Sequence, residues 1–261
     1  METTFAGKWV LITGASSGFG AATALAFAQQ GASLLLGARR VDRLESVAAA
    51  ARQAGAPEAH FHALDVAATP SVNAFAAWAK SVAGRVDILV NNAGGAHGVA
   101  TVAEGADVDW DAMFQSNVLG LLRVTRAVLP LLPREAGASI VNLGSIAGRV
   151  AYEGGSAYCG AKAAELQITR ALRLELNGTG IRVSTIDPGL AETEFSLVRF
   201  KGDAARAAKV YEGMHPLTAQ DIAETIVWVA GRPAHVNIDE LLIKPTDQAA
   251  IHKVFRRPAR N

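Results

Sequence analysis

Tyr158 and Lys162 stand four residues apart in the stretch GSIAGRVAYEGGSAYCGAK, residues 144–162, with Ser145 thirteen positions before the tyrosine. On a helix, positions i and i+4 share a face with Cβ atoms about 5–6 Å apart, so a phenol and an ammonium so spaced can serve one site. A free phenol titrates near pKa 10, too high for a base at neutral pH, and a neighbouring cation favours its ionised form. The pair therefore suits proton transfer between an alcohol and a carbonyl. Ser145, expected at the end of a strand, can hydrogen-bond the substrate oxygen as charge develops on it. Asn117 interrupts the apolar run MFQSNVLGLL; an amide there is a poor helix former and needs a partner. It suits a bound water linking Lys162 to solvent, or else an amide at a helix kink or interface. Cys159 points about 100° around the helix from Tyr158 and reads as packing. Spacing of the YxxxK kind also occurs on solvated helices, so the case depends on what surrounds it.

Those side chains need a scaffold that brings chain-distant segments to one edge. Short β-rich runs at 8–13, 33–38, 59–65, 87–90, 139–145, 182–186 and 237–243 alternate with Ala/Leu-rich helical stretches at 18–30, 41–54, 71–82, 110–132, 158–177 and 219–230. That alternation predicts an α/β fold with a seven-stranded parallel sheet covered on both faces and right-handed crossovers. No linker or repeat divides the chain, so residues 1–248 read as one domain. The irregular stretch at 190–216 is the expected substrate lid, and residues 249–261 are expected to be a loosely held basic tail.

The first strand runs into TGASSGFG, residues 13–20, ahead of a good helix former. Glycines at such a turn let the backbone approach a ligand closely, and the helix start offers unpaired N–H groups and a positive dipole end to a pyrophosphate. The spacing is G-x-x-x-G-x-G rather than G-x-G-x-x-G; the strand–turn–helix context is what makes it a nucleotide-binding loop. The second strand then ends in Ala38, Arg39 and Arg40 where an NAD-selective site would carry an acidic residue for the ribose 2′-OH. Two guanidiniums suit a 2′-phosphate, which favours NADP(H), unless they are solvated residues paired with Asp42 or Glu45. Asp65 and Val66 follow the third strand, placed for an adenine amino group and ring. Asn92, Ala93 and Gly94 follow the fourth at the switch point of the sheet, although such residues are also ordinary turn chemistry. An oxidised nicotinamide beside Tyr158 would add a second positive charge to that of Lys162.

Composition sets limits. The 261 residues are 50% hydrophobic and 19% charged, with a formal charge of +1, enough for a core and too little field to draw the chain to nucleic acid or an anionic membrane. A small-molecule partner is expected. The single cysteine excludes an intrachain disulfide framework, no secretory signal is evident, and no run is apolar enough to span a bilayer; a cytoplasmic location is the simplest expectation. His60 and His62 alternate on a strand face, and no spacing suggests a metal site.

Taken together, TGASSGFG, NNAG, Asn117, Ser145, YCGAK and DPG (187–189) resemble the short-chain dehydrogenase/reductase family across residues 7–245. The resemblance implies a Rossmann-type doubly wound seven-stranded parallel sheet ordered 3-2-1-4-5-6-7 and a catalytic tetrad of Asn117, Ser145, Tyr158 and Lys162. It implies cofactor contacts from Gly14, Ser16, Ser17, Gly18, Phe19, Gly20, Arg39, Arg40, Asp65, Val66, Asn92, Ala93, Gly94, Tyr158, Lys162, Pro188, Gly189 and Thr193. It also implies a homodimer or homotetramer built through the helices at 110–132 and 158–177. The stretches TEFSLVRFKGD (193–203) and RPAHVNIDELLIKPTDQ (232–248) are similar to NADP-dependent 3-hydroxy acid dehydrogenases acting on serine and allo-threonine. That group often has glycines after PGL where this chain has Ala191 and Glu192, which leaves another lid or substrate open. Substrate contacts are expected from Ser145, Tyr158, Arg199 and Arg149, the arginines as anchors for a carboxylate. Two alternatives stand beside a small 3-hydroxy acid: another small aldehyde or ketone such as an anionic sulfonate aldehyde, and a catalytically silent NADP-sensing or scaffold protein that keeps the fold.

Overall fold

A computed structural model describes residues 5–134 and 137–258. In the first half, β1 (Trp9–Thr13), α1 (Gly18–Gln29), β2 (Ser33–Ala38), α2 (Val41–Ala54), β3 (Ala59–Ala63), α3 (Thr69–Ala83) and β4 (Ile88–Asn91) alternate as the periodicity requires. In the second, α4 (Asp107–Phe114), α5 (Gly120–Val128), β5 (Ser139–Leu143), α6 (Ser156–Glu175) and β6 (Arg182–Pro188) continue the pattern. Then come α7 (Glu194–Arg199), α8 (Ala204–Lys209), α9 (Ala219–Ala230), β7 (Glu240–Ile243) and a hairpin of β8 (Gln248–Ala250) and β9 (Lys253–Val254).

Seven parallel strands form one sheet in the order β3-β2-β1-β4-β5-β6-β7. Burial on both faces explains the unbroken apolar strands: in β2, SLLLGA, every residue is buried. Alternate residues face opposite layers. Val10, Ile12, Leu34 and Leu36 pack with Phe27, Leu44 and Ile226 from α1, α2 and α9. Leu11, Leu35 and Leu89 pack with Phe75, Val124 and Leu172 from α3, α5 and α6. Because the strand order reverses between β1 and β4, a crevice opens at their carboxyl ends, which is where such sheets place ligands. Among the described residues, no helix is long and apolar enough to cross a membrane.

Three expectations need correction. The helix expected at 110–132 is broken: a single π-helical turn, Gln115–Leu119, separates α4 from α5. Asn117 Nδ2 donates to Met113 O at 2.7 Å and Ser116 Oγ donates to Ala112 O at 2.8 Å. Side chains that bond the carbonyl four residues back compete with the backbone ladder, which widens there. The stretch at 190–216 is not irregular, since α7 and α8 lie within it, each capped by its own Thr193 or Asp203 side chain. Nor is the basic tail loose as far as residue 258. Phe255 N donates to Asp247 O, Arg257 N to Gly213 O, and Arg256 Nη2 to Val210 O, while the Arg257 guanidinium pairs with Asp247 at 2.6 Å.

Phe27 is fully buried and meets Phe5 edge-on at 5.0 Å between ring centroids. Phe27→Ala is expected to cost about 3–5 kcal/mol, read as a lower urea midpoint with an unchanged slope.

Candidate active site

Ser145 lies just past β5, in the cap position of a 3₁₀ turn, Ile146–Gly148, where its Oγ accepts from Ala147 N at 3.1 Å. Tyr158 and Lys162 are in the first two turns of α6, both buried. The turn presses closely on that helix, for a Cβ at Gly148 would lie 2.6 Å from Lys162 O. Lys162 Nζ donates to Leu143 O and to Glu165 Oε2, both at 2.7 Å. The ammonium thereby joins α6 to the strand end that leads into Ser145. Burial pulls against the charge of Lys162, but Glu165 and then Tyr158 outweigh it and leave the lysine pKa above its ordinary value. Asn117, in the π turn, holds the loop after β4: Oδ1 accepts from Gly95 N at 3.1 Å and Nδ2 donates to Gly95 O at 2.9 Å.

A cavity of about 230 Å³ lies at this edge, and Ser145, Tyr158, Pro188, Gly189, Thr193, Phe19 and Arg199 all line it. At its nucleotide side the chain runs β1, glycine turn, α1. A Cβ at Gly20 would overlap the Gly14 carbonyl, so only glycine permits the tight entry into α1. Asn92 is a clamp on this turn: Nδ2 donates to Thr13 O at 2.8 Å and Gly14 O at 3.2 Å. Thr13 Oγ1 accepts from both Asn92 N and Ala93 N. Asp65 Oδ1 accepts from Ala67 N at 3.0 Å, shaping the turn after β3. Gly18 faces Thr193, whose Cβ lies 3.6 Å from where a Gly18 Cβ would be.

Arg39 and Arg40 part company. Arg39 is exposed, whereas Arg40 donates to Ser16 Oγ at 3.3 Å, Ser17 Oγ at 2.6 Å and Glu194 Oε2 at 3.0 Å. Arg43, one helical turn on, donates to Glu194 Oε1 at 2.7 Å. The hydrogen bonds from Arg43 and then Arg40 hold the Glu194 carboxyl below its usual range.

Of the two arginines expected to anchor substrate, only Arg199 reaches the cavity. Its Nε donates to Gly98 O at 3.0 Å and its Nη2 to Tyr152 Oη at 2.6 Å, with the guanidinium carbon 5.7 Å from the Tyr158 ring centroid. Burial, partly opposed by Arg199, pushes the Tyr152 phenol up to about 12, so its oxygen accepts from Arg199 while its hydrogen stays available to an acceptor. Arg149 is turned elsewhere: Nε donates to Asp187 Oδ2 at 2.7 Å, and Nη2 lies 2.7 Å from Glu240 Oε2. Two buried or half-buried carboxylates claim it, which corrects its expected role as a substrate anchor. Glu240 in turn is held down at about 2 by Arg170 first and Arg149 second. Cys159 packs among Ala96, Met113 and Ala147.

The model of the short chain dehydrogenase family matches residues 8–202. The chain belongs to that family. This short-chain dehydrogenase is 42% identical over 250 residues to serine 3-dehydrogenase of Agrobacterium fabrum, covering 95% of this chain and 98% of the relative. It is 46% identical over 241 residues to sulfoacetaldehyde reductase 2 of Chromohalobacter salexigens, covering 92% and 95%. Its structure is similar to the closed form of serine dehydrogenase complexed with NADP+, with a TM-score of 0.88 at 38% identity over 96% of this chain and 100% of that one.

Sequence reasoning missed Tyr152, Arg43, Glu194 and Glu165. Two of them had a signal in the spacing: Arg43 falls one turn after Arg40, and Glu165 is at i+3 from Lys162. Tyr152 and Glu194 acquire partners only through contacts 47 and more than 150 residues away in sequence, which local spacing cannot reveal. In this dehydrogenase Arg149→Met is expected to leave the KM for an anionic substrate unchanged and to lower stability by about 3 kcal/mol, because it strands the buried Asp187 carboxylate. Steady-state kinetics beside urea denaturation checks both halves.

Proposed function

We propose that the protein is an NADP(H)-dependent oxidoreductase that interconverts a small 3-hydroxy acid and its 3-oxo counterpart. The observation that carries the reading is the cavity lined both by Ser145 and Tyr158 and by the Arg199–Tyr152 pair. That is a proton-transfer centre and an anion-binding pair in one small enclosure.

The residues present fit a phosphate-bearing dinucleotide. The first turn of α1 carries no acidic side chain, and Ser17 makes no capping bond to it, which leaves N–H groups and the dipole for a pyrophosphate. Arg40 and Arg43 already gather about one carboxylate, the coordination a 2′-phosphate asks for. NADP(H) is the cofactor that this set suits, and when bound it takes up or delivers hydride. Gly14, Ser16, Ser17, Gly18, Phe19 and Gly20 would hold the diphosphate side. Asp65 and Val66 would meet the adenine, while Ala93, Gly94, Pro188, Gly189 and Thr193 would border the nicotinamide side. Asn92 shapes the turn that carries them.

Tyr158 Oη takes the hydroxyl proton as an alcohol becomes a carbonyl and returns it in the reverse direction. Lys162, kept cationic in a buried place, favours the phenolate form that the oxidative direction needs. Ser145 donates to the substrate oxygen, an electrostatic term that grows with the charge there. Asn117 fixes the loop at Gly95 and so the wall of the crevice. Arg199 Nη2 and Tyr152 Oη bind the carboxylate. The segment at 190–216 would act as the lid, since α7 brings Phe195 to 5.7 Å from the Tyr158 ring.

A second reading has its own support. The Arg199–Tyr152 pair presents donors without a shape specific for carboxylate, and the relative named for sulfoacetaldehyde is 46% identical; an aldehyde bearing a sulfonate suits the same groups. Exposed Phe114, Leu119 and Leu122 on α4, the π turn and α5 support a homodimer or homotetramer through that face, which sedimentation can test.

Turnover of serine, 3-hydroxypropionate, 3-hydroxybutyrate, sulfoacetaldehyde and uncharged alcohols, followed at the reduced-nicotinamide band, tests the reading. Anionic substrates are expected to dominate, and activity confined to uncharged alcohols would overturn it. Tyr158→Phe is expected to lower kcat by about 10³-fold with NADPH binding intact. Arg199→Ala should raise KM for the anionic substrate about 10–100-fold, the loss of a charge-assisted hydrogen bond. Replacing Arg40 and Arg43 together by alanine should reduce kcat/KM for NADPH by a similar factor while sparing NADH; a wild-type preference for NADH would sink the cofactor assignment.

A further inference from the structure

Glu165 is a buried carboxylate to which the scheme above gives no task. It is 2% exposed, on the third turn of α6, with Oε2 accepting from Lys162 Nζ at 2.7 Å. The pair is largely buried, with the Lys162 and Glu165 side chains 8% and 3% exposed. Behind it lies a small interior cavity, with about 10 Å³ open to the centre of a water molecule, walled by Thr13, Asn91, Asn117 and Glu165 among others. That is at the lower limit of what a single water needs. Asn91 Oδ1 is buried there without a hydrogen-bond partner among the described residues, and its Nδ2 begins a chain through Asn142 and Thr169 to the Glu165 backbone. The surroundings are thus polar on several sides and mostly buried.

We infer that Glu165 is a positioning residue for the reaction: it is the counter-charge that keeps the buried Lys162 cationic and fixed between β5 and α6. The inference rests on the role given to Lys162 above. An isolated ammonium taken out of water tends to lose its proton rather than stay charged. Leu143 O alone supplies a dipole and no charge. Glu165 supplies a full negative charge one turn along the helix. The other titratable groups facing the pair are Tyr158 from the same helix and Asp187 from β6, and Asp187 is already matched by Arg149. Burial pushes the Glu165 carboxyl up, to about 7, against the pull of Lys162.

The sign of the pH effect follows. Without the carboxylate, burial of Lys162 is no longer outweighed, its ammonium loses its proton at lower pH, and the aid it gives Tyr158 disappears as pH rises. Glu165→Gln is therefore expected to keep kcat/KM for alcohol oxidation within a few-fold of wild type near pH 6.5. It should then fall about tenfold per pH unit above a new midpoint in the alkaline range, at least one unit below any falling limb of the wild type. Glu165→Asp, which keeps the charge, should restore most of the wild-type profile. A Glu165→Gln profile parallel to wild type at every pH would assign the residue a structural role only and overturn the inference.

A readout independent of turnover uses the unmodified protein. With ¹³C placed at lysine Cε and glutamate Cδ, and Lys162→Met and Glu165→Asp assigning the resonances, Glu165 should titrate well above ordinary glutamates and Lys162 should respond in the same pH step. An ordinary glutamate midpoint, or no response from Lys162, would reject the coupling even if Glu165→Gln failed to fold. Should Tyr158→Phe leave turnover unaffected, the proposed function falls, whereas the coupled titration still decides the role of Glu165.

Discussion

A buried ammonium has to be paired, and here one of its partners is the carbonyl at the end of a strand. The bond from Lys162 Nζ to Leu143 O fixes where α6 docks on the sheet, and with it the distance between Tyr158 on the helix and Ser145 two residues beyond the strand. Neither residue could be placed by its own element. The strand gives Ser145 an edge position, the helix gives Tyr158 a face, and the lysine sets the relation between the two. Gly148 completes the arrangement, since any side chain there would press on Lys162 O and lift the serine turn away.

A similar cross-tie governs the other half of the crevice. The Thr13 hydroxyl receives two N–H groups from the loop after β4, and the Asn92 amide answers by donating to the Thr13 and Gly14 carbonyls. The glycine turn is held open by a neighbouring strand rather than by its own residues. This is why asparagine and glycine after β4 could be read from sequence either as turn formers or as ligand contacts: Asn92 shapes the turn, and the turn makes the site.

What was legible in the sequence had short-range causes. Strand and helix positions followed from apolar runs and periodicity, and the sheet order followed from the family resemblance. The break in the helix after Phe114 was readable only as one alternative for Asn117, because it depends on whether Asn117 and Ser116 bond backward to carbonyls or outward to the loop. Arg149 misled because its neighbours in sequence are the serine turn, whereas its partners, Asp187 and Glu240, arrive from β6 and β7. Charge type was visible at each position; which opposite charge would meet it depended on the register of distant strands.

The C-terminal segment illustrates a different economy. Arg256 and the Arg257 amide reach the segment after α8 through the carbonyls of Val210, Glu212 and Gly213, so the contact reads main chain and ignores side-chain identity. The residues of α7 that face the cavity can therefore be exchanged without dissolving the tether behind them. A scaffold so fastened separates anchorage from recognition.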